Sequence, residues 1–398
     1  MTAATTLPNH LALTYAPYIE RTRAVGATRL TVCALKPGAA PDAAGLLAAV
    51  AGVWPDGGAR VLLSVLDEPL LADLLRQRPN ANVMIEVPAF MAADAAHASA
   101  LAALRERRGV LLVKGASAAG LPREVLSCFA AAIVEPADGD APSAADASPG
   151  GLPRVQDGIR TRQALDTAFD GGAQAAIGWP LGDAPTLPRP LAKGGGASAM
   201  QVLVELMQRV ERDEPIERIE PTLRRDPQIA FRLLRYINSP AFGLRVEVSS
   251  FGHAMALLGR QRLKRWLALL LVTASDDPAA RPVMYAAVRR GLLMEELARP
   301  SGDDDMRGEM FLCGVFSLLD RMFQQPLAQL LGAVPLPDRV VQTLVAGSGP
   351  YRPWLDLVRA VEGDSLADLR AAAECVLLDL GEVNRALLRA LAAAAQLG

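Results

Sequence analysis

Two rhythms of hydrophobic and polar positions divide the chain. In the first half, short continuous apolar runs (VLLSV at 61–65, NVMIEV at 82–87, GVLLV at 109–113) alternate with longer stretches of helical period. Runs of this kind predict strands buried on both faces, as in a parallel sheet covered by helices. The pattern places strands at 11–19, 30–35, 61–65, 83–87, 110–113, 131–134, 154–156 and 174–178. Helices are expected between them at 43–50, 68–76, 89–107, 123–129 and 161–170. Eight strands in this alternation predict a closed TIM-like β/α barrel, with an open doubly wound sheet as the alternative.

The rhythm breaks at 183–199, DAPTLPRPLAKGGGASA, where three prolines and three consecutive glycines can continue neither a helix nor a central strand. An earlier polar stretch at 137–150 has strand-like segments on both sides and reads as a loop of the barrel, an interdomain linker being the alternative. The predicted domains are therefore a barrel over 1–185, a Pro/Gly linker over 186–199 and a helical domain over 200–398. The fold class is α/β followed by all-α.

The helical half is densest between 225 and 272. Asp226 before Pro227 is an N-cap signal, and Ile229, Leu233, Leu234 and Ile237 recur at helical spacing until Asn238-Ser239-Pro240 stops them. Ser249 or Ser250 caps a second helix that buries Met255, Leu257 and Leu258 and ends at Gly259. A third, over 260–272, is polar at its start and apolar on nearly all sides by Leu267, as expected of a helix at the centre of a bundle. Further helices are expected at 283–298, 308–323, 337–345, 351–361, 366–380 and 383–397, with 299–307 as a solvated loop. The Ala- and Leu-rich end, 386–396, suits helix packing or a docking face.

Composition narrows the function. A net charge of −2 on 398 residues gives no basic excess, so charge alone does not favour nucleic acid. Four scattered cysteines without a CxxC pair suit a reducing compartment. The start of the chain shows no cationic region followed by an apolar core, and no apolar run approaches a membrane span. A cytoplasmic protein without membrane contact is expected. Three dispersed histidines, His10, His97 and His253, do not make a His-rich di-metal site. No cofactor and no metal are predicted.

Residues RDPQIAFRLLRYINSPAFG, then SSFGHAMALLG, then the basic start of an apolar helix resemble an HDOD domain. That family is similar to the HD phosphohydrolases in its helices and lacks their metal ligands. The likeness continues through MFLCGVFSLLDRMFQQPL, where Ser317-Leu318 stands in place of the hydrolases' His-Asp pair.

The first half resembles an EAL domain, the barrel that linearises cyclic di-GMP, and EAL–HDOD pairing in one chain is a recognised arrangement. The resemblance implies metal-holding carboxylates at the C-terminal ends of successive strands, where barrel enzymes place their sites. Cys33 stands where the glutamate of Glu-Ala-Leu belongs, and Ser64 where an asparagine is expected. Glu86 is kept and Glu135 lies near the usual aspartate, but Lys114 takes the place of an Asp-Asp pair. The sixth-strand lysine would fall near Ile133 and the late glutamate near Ile159. One kept carboxylate cannot hold two cations, and Lys114 would repel them. The barrel is therefore expected to be catalytically degenerate. A softer metal on Cys33, Glu86 and Glu135 is an alternative without a spacing signature. Lys36 offers one possible phosphate contact.

Arg260, Arg262, Lys264 and Arg265 cluster at the start of the third helix, with Phe242 nearby. Cations at a helix N-terminus oppose its dipole, so either an anionic partner or neighbouring acids such as Glu295, Glu296 and Asp303–Asp305 should compensate them. Direct DNA reading does not fit a helix that is apolar from Leu267 onward. The reading is a non-catalytic signal-transduction protein that binds other signalling proteins. The alternative is a receptor for cyclic di-GMP or another nucleotide, with residual phosphodiesterase activity as a third possibility.

Overall fold

The computed structural model describes residues 10–36, 40–115, 118, 120–135, 149–182, 195–224, 229, 251–273, 277–332 and 334–396. They fall into two compact units. One comprises Met1–Asp183 with Arg359–Leu388, the other Ala184–Val358 with Arg389–Gly398. Residues 359–388, read from sequence as part of the helical domain, thus cluster with the barrel.

The first unit is a closed barrel in the order β1 to β8: Leu11–Glu20, Val25–Ala34, Arg60–Val65, Val83–Pro88, Val110–Lys114, Ala131–Val134, Arg154–Ile159 and Ala175–Gly178. All eight predicted strands are present, and the open sheet is not. Strands β2 to β8 run parallel to their neighbours, whereas β1 is antiparallel to both β2 and β8. The apolar pattern of β1 gave no hint of this reversal, because burial on both faces does not depend on strand direction. Strand β2 begins at Val25 rather than at residue 30, and β7 runs on to Ile159 rather than ending at 156.

The covering helices are α1 (Ala43–Val53), α2 (Glu68–Leu74), α3 (Ala89–Ala93), α4 (Ala95–Glu106), α5 (Arg123–Leu126) and α6 (Arg162–Asp170). Short polar side chains start several of them. Asp42, Asp67 and Thr161 each accept a backbone N–H three residues on, satisfying donors that the first helical turn leaves open. Inside the barrel, Leu62, Met84, Leu112, Ile133, Val155 and Ile177 form an apolar layer.

The second unit contains α7 (Gly195–Glu211), α8 (Ile216–Arg224), α9 (Phe251–Val272), α10 (Arg281–Ala298), α11 (Asp304–Phe316), α12 (Leu319–Phe323), α13 (Leu327–Leu331) and α14 (Asp338–Val345). Helix α15 (Arg352–Val361) follows, and α16 (Leu366–Cys375) and the start of α17 (Leu380–Ala395) belong with the barrel. Helix α9 is broken at Gly259, whose φ of 68° lies in the left-handed region, so the two predicted helices are distinct on either side of it. Beyond the break, Leu263 and the run from Trp266 to Val272 are buried, as expected of a central helix. Helices α10 and α11 pack closely through glycine: a Cβ on Gly314 would lie 2.5 Å from the Arg290 carbonyl oxygen.

The readings that rest on 225–250, Phe242 among them, lie outside the described residues except for Ile229, which is helical and buried. Most of 137–150 and of 186–199 also lies outside. Among the described residues no helix is long and apolar enough to cross a membrane.

Candidate functional site: a charged layer inside the barrel

Side chains alternate in and out along a strand, so the residue two places after each interior apolar residue also points inward. Moving toward the C-terminal ends, Leu62 is followed by Ser64, Met84 by Glu86, Leu112 by Lys114, Ile133 by Glu135 and Val155 by Asp157. On β2 the same face runs Ala27, Arg29, Thr31, Cys33. The apolar layer is therefore capped by a charged one.

Arg29 is the hub. Its Nη2 donates to Ser64 Oγ at 3.1 Å and to Glu86 Oε1 at 2.9 Å, while Nη1 meets Asp157 Oδ2 at 3.1 Å. Lys114 lies on the same carboxylates: its Nζ is 3.1 Å from Asp157 Oδ2, 3.5 Å from Glu86 Oε1 and 2.8 Å from Glu135 Oε1. Glu86, Arg29 and Asp157 are buried, and Glu135 is largely exposed. Burial presses the Arg29 guanidinium down in pKa, but Glu86 and Asp157 more than reverse it, so it lies above its ordinary value. Lys114 follows the same balance and is likewise raised.

This donor set does not suit a divalent cation. Glu86 Oε1 already faces both Arg29 and Lys114, while its Oε2 is buried without a hydrogen-bond partner. A metal there would meet two positive charges at close range. Cations do converge in the barrel, but each is bound to carboxylates rather than open to a phosphate.

Of the residues singled out in sequence, Ser64, Glu86 and Glu135 meet in this layer with Lys114. Cys33 sits on the same face of β2, nearer the mouth and half-buried, and burial and then Asp364 push its thiol upward in pKa. Ile133 and Ile159 are buried apolar residues, and Lys36 is exposed. Arg29 and Asp157 were not foreseen. The alternation Ala27, Arg29, Thr31, Cys33 was the signal available for the first, and Val155 followed by Asp157 for the second.

In the helical unit the basic cluster is largely compensated. Arg260 pairs with Asp213, Lys264 with Glu211, and Arg265 with Glu295 at 2.7 Å while stacking 4.6 Å over the Phe311 ring. Among the described residues Glu295 is the one expected acid that serves, and Glu211 at the end of α7 and Asp213 just past it supply the others. Arg262 is exposed and has no ion pair among the described residues. Where the hydrolases' His-Asp pair would fall, buried Ser317 accepts from Arg290 Nη1 at 3.1 Å and donates to the Gly314 carbonyl at 2.7 Å.

The fold and these sites define a two-part protein. Its first part is a closed barrel similar to EAL domains, and its second contains an HDOD domain, matched at residues 197–327. Among particular proteins, the chain is 25% identical over 219 residues to the uncharacterised protein YuxH of Bacillus subtilis, covering 54% of this chain and 52% of the relative. It is 27% identical over 145 residues to the cyclic di-GMP phosphodiesterase CdgJ of Vibrio cholerae serotype O1, covering 36% of this chain and 34% of the relative. The matches thus span about half and about a third of those proteins. A standalone versatile EAL protein from Vibrio cholerae O395, solved in its c-di-GMP-bound form, is similar at 14% identity and a TM-score of 0.32, covering 45% of this chain and 93% of that one.

Proposed function

We propose that the chain is a non-catalytic signal-transduction protein of cyclic di-GMP networks, its barrel a scaffold and its HDOD domain the element that captures a protein partner in the cytoplasm. The observation that carries this reading is the pairing of Arg29 and Lys114 with Glu86, Asp157 and Glu135. Metal-assisted phosphodiester hydrolysis needs carboxylates free to hold a cation that activates water and clamps the phosphate. Here the carboxylates neutralise side chains of the same chain. Three carboxylates against two cations also leave the layer net negative, which repels a phosphodiester.

The test is incubation of the full chain with cyclic di-GMP and Mg²⁺ or Mn²⁺, with products resolved by chromatography, beside calorimetric titration of the same ligand. The reading predicts intact dinucleotide and no saturable heat. Turnover abolished by Glu86→Gln would revive the phosphodiesterase. Binding without turnover would make the barrel a receptor.

A further inference from the structure

The C-terminal segment of the barrel unit touches the barrel at its mouth. Strand β1 is antiparallel to β2, with Leu11 opposite Ala34, so the start of β1 lies at the end where β2 finishes. Against β8, β1 pairs through Tyr18, Ile19 and Glu20, and among the described residues no strand lies on that side of its first half. Asn384, on α17, fills part of this seam. Its Nδ2 donates to the Leu11 carbonyl at 2.7 Å, and its Oδ1 accepts from the Leu13 N–H at 2.9 Å. The amide thus stands in for the peptide unit of a missing strand, and it is 1% exposed. Farther along the segment, Arg370 Nη2 donates to the Leu35 carbonyl, just past the end of β2, at 3.4 Å. Asp364, between α15 and α16, acts electrostatically on Arg29 and on Cys33, the two β2 residues that lead from the charged layer to the mouth.

We propose that residues 359–388 are an intramolecular cap on the β1–β2 side of the barrel mouth, fastened by Asn384 and Arg370. The cap shields Cys33 and buried Arg29 from the β1–β2 side, whereas Lys114 and Glu135 stay partly open to solvent with it in place. This holds whether or not the barrel has chemistry of its own, so it stands apart from the functional reading above.

Cys33 reports on the cap, because the thiolate is the species that reacts and access sets its rate. The experiment uses the full chain with Cys128 and Cys375 changed to Ser, leaving Cys33 and the buried Cys313 of the helical unit. Maleimide labelling of each cysteine is followed by mass spectrometry. The double variant Arg370→Ala, Asn384→Ala should label at Cys33 about tenfold faster, the scale of losing one or two buried hydrogen bonds from the closed form, while Cys313 keeps its rate. An unchanged Cys33 rate overturns the cap. Arg370→Ala alone removes only the exposed hydrogen bond to Leu35, keeps the buried Asn384 contacts, and should still speed Cys33 labelling by about two- to threefold. An unchanged Cys33 rate in that single variant overturns the cap even if the double variant fails to fold.

Discussion

Burying the Arg29 guanidinium costs several kcal/mol of hydration, and Ser64, Glu86 and Asp157 together offset it. Removing Arg29 leaves buried Glu86 and Asp157 with Lys114 as their remaining counter-charge among the described residues. Arg29→Met is therefore expected to destabilise the barrel unit by about 3–5 kcal/mol, read from urea unfolding. Adding Glu86→Gln should recover part of that loss, a coupling that two independent sites would not show. Lys114 gives the network a pH signature. Its pKa is raised in the folded state, so its stabilisation is fully present below the ordinary lysine value of about 10.4 and is lost as pH climbs through the raised one. The urea midpoint should fall above that pH in the parent and fall less in Lys114→Met. Glu86 and Lys114 were legible in sequence because each ends an unmistakable apolar strand. Arg29 was not, because VGATR at 25–29 lacks an apolar run and the strand appeared to start at 30. Asp157 was hidden by Gly158, which reads as a strand end but sits within β7 at a φ of 75°.

Helix contacts are decided by the smallest residues and by ion pairs. A methyl group on Gly314 would meet the Arg290 carbonyl and the Gly291 nitrogen across the α10–α11 contact. Overpacking of this kind costs about 1–3 kcal/mol, so Gly314→Ala should lower the melting temperature of the helical unit as read by differential scanning calorimetry. The basic start of the second half of α9 separates into two kinds of residue. Arg265→Glu sets a carboxylate beside mostly buried Glu295 and removes the stack on Phe311, a predicted loss of about 3 kcal/mol. Arg262→Glu touches no ion pair among the described residues and should shift stability by less than about 0.5 kcal/mol while weakening capture of an acidic partner. Sequence placed all four cations at the start of one helix but could not pair them, because Glu211, the last residue of α7, and Asp213, just past it, reach them from some fifty residues earlier. The stop at Gly259 was legible, since only glycine takes that left-handed backbone at no steric cost.

At the scale of the whole chain, the eight-stranded barrel and the helical half were readable from their two periodicities, and the HDOD match at 197–327 agrees with the second. The grouping of 359–388 with the barrel was not readable: α16 and the start of α17 carry an ordinary helical pattern, and the feature that ties them to β1 is one amide side chain, Asn384. The account as a whole turns on whether side-chain cations have taken the place of a metal inside the barrel. The most direct measurement is titration of the full chain with Mn²⁺, reading free ion by electron paramagnetic resonance. The predicted result is no saturable site that Glu86→Gln alters. A stoichiometric Mn²⁺ site in the parent that disappears in Glu86→Gln would contradict it.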